Sequence, residues 1–242
     1  MRRIYFFAPL LAFFAFILLT SSLRATKAQN SVAPKSVAYG ATEQDVLKEI
    51  NLARTHPAEY AAYLEQLRPY FVGKELRQPG KPALMTEEGV AALEEAIRFL
   101  RSAKPVPAYS MSLGMSSGAR ELVKDQGATG ATGHRGADGS FCEQRAKRFG
   151  SWTDPIGEDI AYGNDTARDR VIAWLIDDGV ANRGHRARLF NTSYKVVGVA
   201  CGDHKMGGMC VITFAGGFSD RPAAAQTKGG NKTVVPASAK RF

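Results

Sequence analysis

An α+β fold, with helices packed over a small and mostly antiparallel sheet, follows from three features of this chain. Apolar residues recur at helical spacing through the first two thirds of its 242 residues. Two strand-like runs near the end, Tyr194–Cys201 and Met209–Ala215, flank the Gly-rich loop 202–208 and read as a hairpin. No internal repeat is visible, and helices come first with strands late.

The elements can be justified in order. Residues 1–28 read as a secretory signal: Arg2 and Arg3 give the positive start, Ile4–Leu19 the apolar run, and Thr26-Lys-Ala28 the small-residue cleavage site. The run is short for a membrane span and contains Pro9, so no transmembrane span is expected after cleavage. Residues 29–41 read as a linker, 42–218 as one domain, and 219–242 as a disordered basic tail poor in large apolar residues. Thr42 with Asp45 opens a first helix carrying Val46, Leu47, Ile50 and Ala53. Pro57 breaks it, and Tyr60, Leu64, Leu67 and Phe71 continue at helical spacing. Residues 73–82 read as a Gly/Pro/Lys-rich loop. A helix over Thr86–Leu100 presents Val90, Leu93, Ile97 and Leu100 on one face and is stopped by Pro105 and Pro107. Another spans Ser112–Gln126, and three glycines then lead to His134. Ser140 and Glu143 form a capping box for a short helix ending at Gly150, and further strands are expected within 151–163. Thr166–Ile176 is the last clear helix, opened by Thr166 with Asp169 and stopped at Gly179.

Charge narrows the function. The formal charge is +9, yet residues 1–41 hold five Lys/Arg and no acid, and residues 219–242 hold five with one Asp. The domain between them has 22 basic and 22 acidic residues. A neutral domain gives no bulk electrostatic case for nucleic acid. No Gly-x-Ser-x-Gly elbow or phosphate-binding loop is present. The three cysteines behind a secretory signal allow a cross-strand disulfide, Cys201 with Cys210, and leave Cys142 over.

One stretch breaks a rule of helix electrostatics. Asp177 and Asp178 sit at the C-terminal end of the helix over 166–176, where the macrodipole favours cations. Arg183, Arg186, a protonated His185 or a bound metal ion would each compensate them. With His134 and Glu158 added, two imidazoles and two carboxylates suit zinc, which takes His nitrogen and carboxylate oxygen. The same four groups also make sense without a metal, each His donating to an acid. Cys142, near a helix start, is the sharpest nucleophile candidate, because the dipole lowers thiol pKa there. His56 before Pro57 and His204 on a hairpin tip read as structural. Asp178 reads as solvent-facing or paired with Arg183. Asn164, Asn191 and Asn231 open glycosylation-type triplets.

Several motifs together carry a family resemblance. His134-Arg-Gly136-Ala-Asp138-Gly139-Ser140 with Arg145 and Phe149-Gly150 resembles the His-bearing loop and short helix of bacterial-type CAP domains, of the superfamily of cysteine-rich secretory, antigen-five and pathogenesis-related proteins. Gly157-Glu158-Asp159 resembles its Gly-Glu-Asn motif, Arg183-Gly-His185-Arg186 its Gly-His-Arg segment, Val197–Ala200 its late strand, and Asn51-Leu-Ala-Arg54 its opening helix. The resemblance implies a three-layer α-β-α sandwich with a central cavity lined by His134, Glu158, Asp177 and His185, the set that holds a divalent ion, commonly zinc, in several relatives. Asp177 stands where many members have Glu, and Asp159 where Asn is usual. The resemblance also allows a small apolar or lipid ligand. The function expected is a secreted binding or interaction module. Its rivals are an extracellular hydrolase of peptide or cell-wall polymer, using zinc-activated water or a Cys142/His pair, and a structural module with a metal-free tetrad.

Overall fold

The computed structural model describes residues 41–163 and 166–222. The signal segment, nearly all of the linker, the chain beyond 222, Asn164 and Asn231 lie outside the described residues. Helices α1 (Ala41–Thr55) and α2 (Pro57–Glu65) are separated at His56, where Pro57 starts the new helix without needing an N–H partner. Three two-residue strands follow, β1 (Phe71–Val72), β2 (Glu75–Leu76) and β3 (Leu84–Met85), paired antiparallel in that order. Then come α3 (Val90–Ser102), β4 (Ser110–Met111), α4 (Leu113–Thr129), α5 (Cys142–Lys147), β5 (Gly150–Tyr162), α6 (Ala167–Ile176), α7 (Gly184–Phe190), β6 (Val196–His204) and β7 (Gly207–Asp220).

The main sheet runs β4-β6-β7-β5, parallel between β4 and β6 and antiparallel elsewhere, so β5 is an edge strand. Strand alternation divides its side chains between two helical layers. Ala200, Met209 and Val211 pack with Ala119, Leu122 and Val123 of α4. Val199, Cys210, Ile212 and Phe214 point the other way, into a larger core with Ile50, Leu64, Leu93, Leu100 and Trp174. This is the three-layer α-β-α sandwich. At Gly198 an added Cβ would lie 2.2 Å from the backbone of Met115, so a side chain there would push α4 off the sheet. Asn51 and Arg54 of the opening-helix motif are structural. The Asn51 amide exchanges bonds of 2.8 and 3.0 Å with the Tyr109 backbone, and Arg54 donates to Pro107 O at 2.8 Å.

Register partners Cys201 and Cys210 form the expected disulfide, and Cys142 is free and buried. Among the described residues no helix is long and apolar enough to cross a membrane. Several boundaries differ from the sequence reading: the helical spacing read through Leu67 and Phe71 ends at Glu65 with Phe71 in β1, the short helix read to Gly150 ends at Lys147, and the hairpin strands run into the loop read at 202–208. The loop 73–82 lies within the small β1–β3 sheet, whose two-residue strands are too short to show periodicity. The helix expected from Thr86 begins at Val90, because the Thr86 hydroxyl is used to tie Lys74 O and Gly89 N together. The short helix is capped at Phe141 rather than Ser140: Ser140 Oγ donates to Asp138 at 2.6 Å, and Gln144 Oε1 accepts from Phe141 N at 2.9 Å. The last strand continues through Ser219 and Asp220, two residues into the segment read as tail. Asp220 then accepts from Ser112 Oγ and Gly114 N at 2.8 and 2.6 Å.

Candidate functional site

The four singled-out residues form two histidine–carboxylate pairs. Gly130 ends α4 in the left-handed conformation (φ 78°), and the loop carries His134 to β5, where Nδ1 lies 3.0 Å from Glu158 Oε1. The other Glu158 oxygen accepts from Arg145 Nη2 at 2.5 Å. Arg145, 1% exposed, also donates through Nη1 to Ser140 O at 2.8 Å and His134 O at 3.1 Å. It therefore pins the histidine loop and neutralises Glu158 together. The His134 ring is about half exposed.

The second pair is built at a helix junction. Asp177 caps α6 with φ 55° and turns its carboxylate onto the start of α7, accepting from His185 N at 2.9 Å and from His185 Nδ1 at 2.6 Å. Asp178 does not pair with Arg183. Its oxygens accept from Glu87 N and Glu88 N at 2.6 and 2.9 Å, ahead of α3. Arg183 instead bridges Glu88 and Glu95 at 2.6 and 2.7 Å. The anticipated electrostatic penalty is thus met by an amide at the start of α7, by two amides just ahead of α3 and by an imidazole.

Strand alternation turns Glu158 and its neighbour Asp159 to opposite faces of β5. Glu158 meets Arg145 of α5, whereas its neighbour Asp159 meets Arg188 of α7. Among the described residues no hydrogen bond or ion pair links one pair to the other. The hydrogen bond from His185 to Asp177 raises the imidazole pKa, with burial opposing it. Asp159 is fully buried, which pushes its carboxyl up to about 6 against the pull of Arg188. Its Oδ2 has no hydrogen-bond partner. Sequence reasoning missed the Arg145 and Arg188 partnerships; the only local signal was the extra charge at Asp159 beside Glu158.

Cys142 does not follow its helix position. Burial, with Glu158 and Glu143 nearby, pushes the thiol up to about 12, outweighing any help from a six-residue helix. His204 is buried on the hairpin, its Nε2 3.0 Å from Ala131 O. His56 lies 2.9 Å from Thr55 Oγ1 at the α1–α2 break.

A cavity of about 360 Å³ adjoins the second pair. Phe71, Leu76, Leu84, Ile160, Ile172 and Trp174 supply apolar wall, and Asp177 and His185 a polar corner; His134 and Glu158 do not line it. As a metal centre the four residues fit poorly. Both carboxylates are committed to imidazole Nδ1 atoms, leaving a cation the two Nε2 atoms where zinc sites use three or four protein donors. Among the described residues no group of three or more His, Cys, Asp or Glu could hold a metal ion.

A family model described as the cysteine-rich secretory protein family (CAP) matches residues 94–214. No curated protein matches the chain. Among solved structures, an extracellular protein containing an SCP domain from Bacillus anthracis str. Ames is 20% identical, with a TM-score of 0.38, over 50% of this chain and 37% of that one. An outer surface protein from Borrelia burgdorferi is 19% identical, with a TM-score of 0.39, over 46% of this chain and 78% of that one. The chain thus spans little more than a third of the Bacillus protein's length.

Proposed function

The chain belongs to the cysteine-rich secretory protein family, and on that footing we propose that it is an exported binding module taking a small, largely apolar ligand into the cavity beside His185. The observation that carries this reading is the composition of the cavity wall. Ligand sites are ordinarily apolar hollows of roughly 300–1,000 Å³ with a few polar groups fixing orientation. This one is about 360 Å³, with the His185–Asp177 pair at its polar corner. Because Asp177 holds Nδ1–H, the neutral imidazole offers an Nε2 lone pair to a ligand hydroxyl, and the imidazolium, which the raised pKa favours, offers an N–H to a ligand oxygen. Export is supported by the signal-like first 28 residues and by the disulfide, which belongs to an oxidising compartment.

The thiol-hydrolase reading is disfavoured because the Cys142 thiol is buried and held protonated. The zinc-water reading lacks donors beyond two imidazole nitrogens. Titration with cis-parinaric acid, followed by energy transfer from Trp174, tests the binding reading. Ala173 is exposed on α6 and lines the cavity, so Ala173→Phe fills the hollow without entering the core. The dissociation constant should rise at least tenfold in that variant. An unaltered constant, or no binding by the parent chain, would overturn the proposal.

A further inference from the structure

We propose that the segment Phe71–Met85 docks on an anionic lipid bilayer. Seven large apolar side chains are exposed among the described residues, and three fall in this one segment: Val72, Leu84 and Met85, at 56%, 59% and 70%. A fourth, Val90, opens the helix that follows. The register sorts the small sheet into two rows, since directly paired residues share a face. Phe71, Leu76 and Leu84 form the row over the cavity, whereas Val72, Glu75 and Met85 form the outer row. Leu84 and Met85 also line the cavity, so the exposed apolar surface is continuous with its mouth.

Charge selects the partner. The segment carries Lys74, Arg77 and Lys81 against Glu75 alone, inside a domain that as a whole holds 22 basic and 22 acidic residues. Arg77 neutralises Glu75, Lys81 pairs with Asp169, and among the described residues no ion pair engages Lys74 at the β1–β2 turn. The acids that follow face elsewhere: Glu88 is held by Arg183, and the Glu87 side chain packs beside Gly179. Apolar side chains interleaved with cations match a bilayer bearing anionic headgroups, where each cation contributes about fivefold to partitioning. The proposal is independent of what the cavity holds.

Co-sedimentation of the chain from Gln29 onward, which contains the whole described fold, with vesicles of equal phosphatidylglycerol and phosphatidylcholine tests it. Neither Val72 nor Lys74 lines the cavity, so Val72→Asp and Lys74→Glu leave its wall side chains in place. Each should lower partitioning at least fivefold while cis-parinaric acid binding stays at the parental value, and about 0.5 M salt should weaken the parent. A polarity-sensitive dye on Ala83→Cys, exposed beside Leu84, should shift to the blue on anionic vesicles and provides a readout if either variant fails to fold. Absence of binding would overturn the proposal. So would vesicle binding unchanged in both variants but lost on Lys228→Glu/Lys232→Glu, which would assign it to the tail. Self-association in sedimentation velocity that Val72→Asp abolishes would make the partner a second copy and overturn it equally.

Discussion

Glu158→Gln isolates the buried ion pair that positions the histidine loop. Glu158 and Arg145 are only 3% and 1% exposed as side chains, and their contact is 2.5 Å. Exposed pairs contribute about 0.2–1 kcal/mol, but removing one partner of a buried pair costs about 3–5 kcal/mol because the other charge stays desolvated. Glutamine keeps the shape and one acceptor, so a cost of about 3 kcal/mol is expected. At roughly 2–4 °C per kcal/mol for a domain of this size, Tm should fall by about 10 °C. Arg145→Met should be comparably damaging, since Ser140 O and His134 O also lose their donor. In Glu158→Gln/Arg145→Met no charge is left stranded, and the Arg145 Nε that already lacks a partner is removed. The double-mutant cycle, measured by urea denaturation, should therefore return a coupling of about 2 kcal/mol or more. A Glu158→Gln cost below about 1 kcal/mol, or additive effects, would refute the assignment of this pair as the anchor of His134.

Three other outcomes follow. Cys142 should react with iodoacetamide at pH 8 about a thousand times more slowly than a free thiol, rising to the free rate on denaturation; fast native alkylation would restore it as a nucleophile candidate. Burial lifts the Asp159 carboxyl from 3.8 to about 6, so the proton is bound more tightly in the folded state. Stability from this group is full below the unfolded value and lost as pH rises towards 6. At about 1.4 kcal/mol per pH unit the loss reaches about 3 kcal/mol, and Asp159→Asn should flatten that part of a Tm-versus-pH curve. Replacing Cys201 and Cys210 by alanine opens a nine-residue separation and should cost about 2.5 kcal/mol in chemical denaturation, whereas an unchanged midpoint would make the disulfide dispensable.

The helical stripes were legible because their burial is local and periodic: Leu93, Ile97 and Leu100 fall on one face of α3 and into one core. Cys201 and Cys210 were equally legible, since a hairpin pairs residues close in sequence. The small sheet was not, because two-residue strands leave no alternation and Gly73, Gly80, Pro79 and Pro82 read as loop. Nor was Arg145's partner visible. A fully buried arginine has the same letter as a solvated one, and Glu158 reaches it on α5 from strand β5, 13 residues on. The four site residues were found by motif, but motif order cannot report which face of a strand a side chain takes. Adjacent Glu158 and Asp159 diverge, so that Glu158 meets Arg145 of α5 and Asp159 meets Arg188 of α7.

That division changes which residue has chemistry to spare. Asp177 and Asp178, conspicuous because they violate the helix dipole rule, spend their oxygens on the His185 imidazole, on a backbone amide at the start of α7 and on two amides just ahead of α3. Glu158 is likewise divided between His134 and a buried guanidinium. Carboxylates so committed would have to release a helix start or a loop to close a metal's coordination sphere. His185 lines the cavity with its Nδ1 fixed by Asp177, which leaves Nε2 as the ring nitrogen not used by that pair. The same carboxylate that resolves the end of α6 therefore orients the imidazole, and Asp177→Asn should weaken helix α7 and ligand binding together. Asp177→Ala and His185→Gln separate these effects. The first should lower stability by about 1–2 kcal/mol through the lost cap. The second should leave stability within about 1 kcal/mol and weaken a ligand with a polar end more than a purely apolar one.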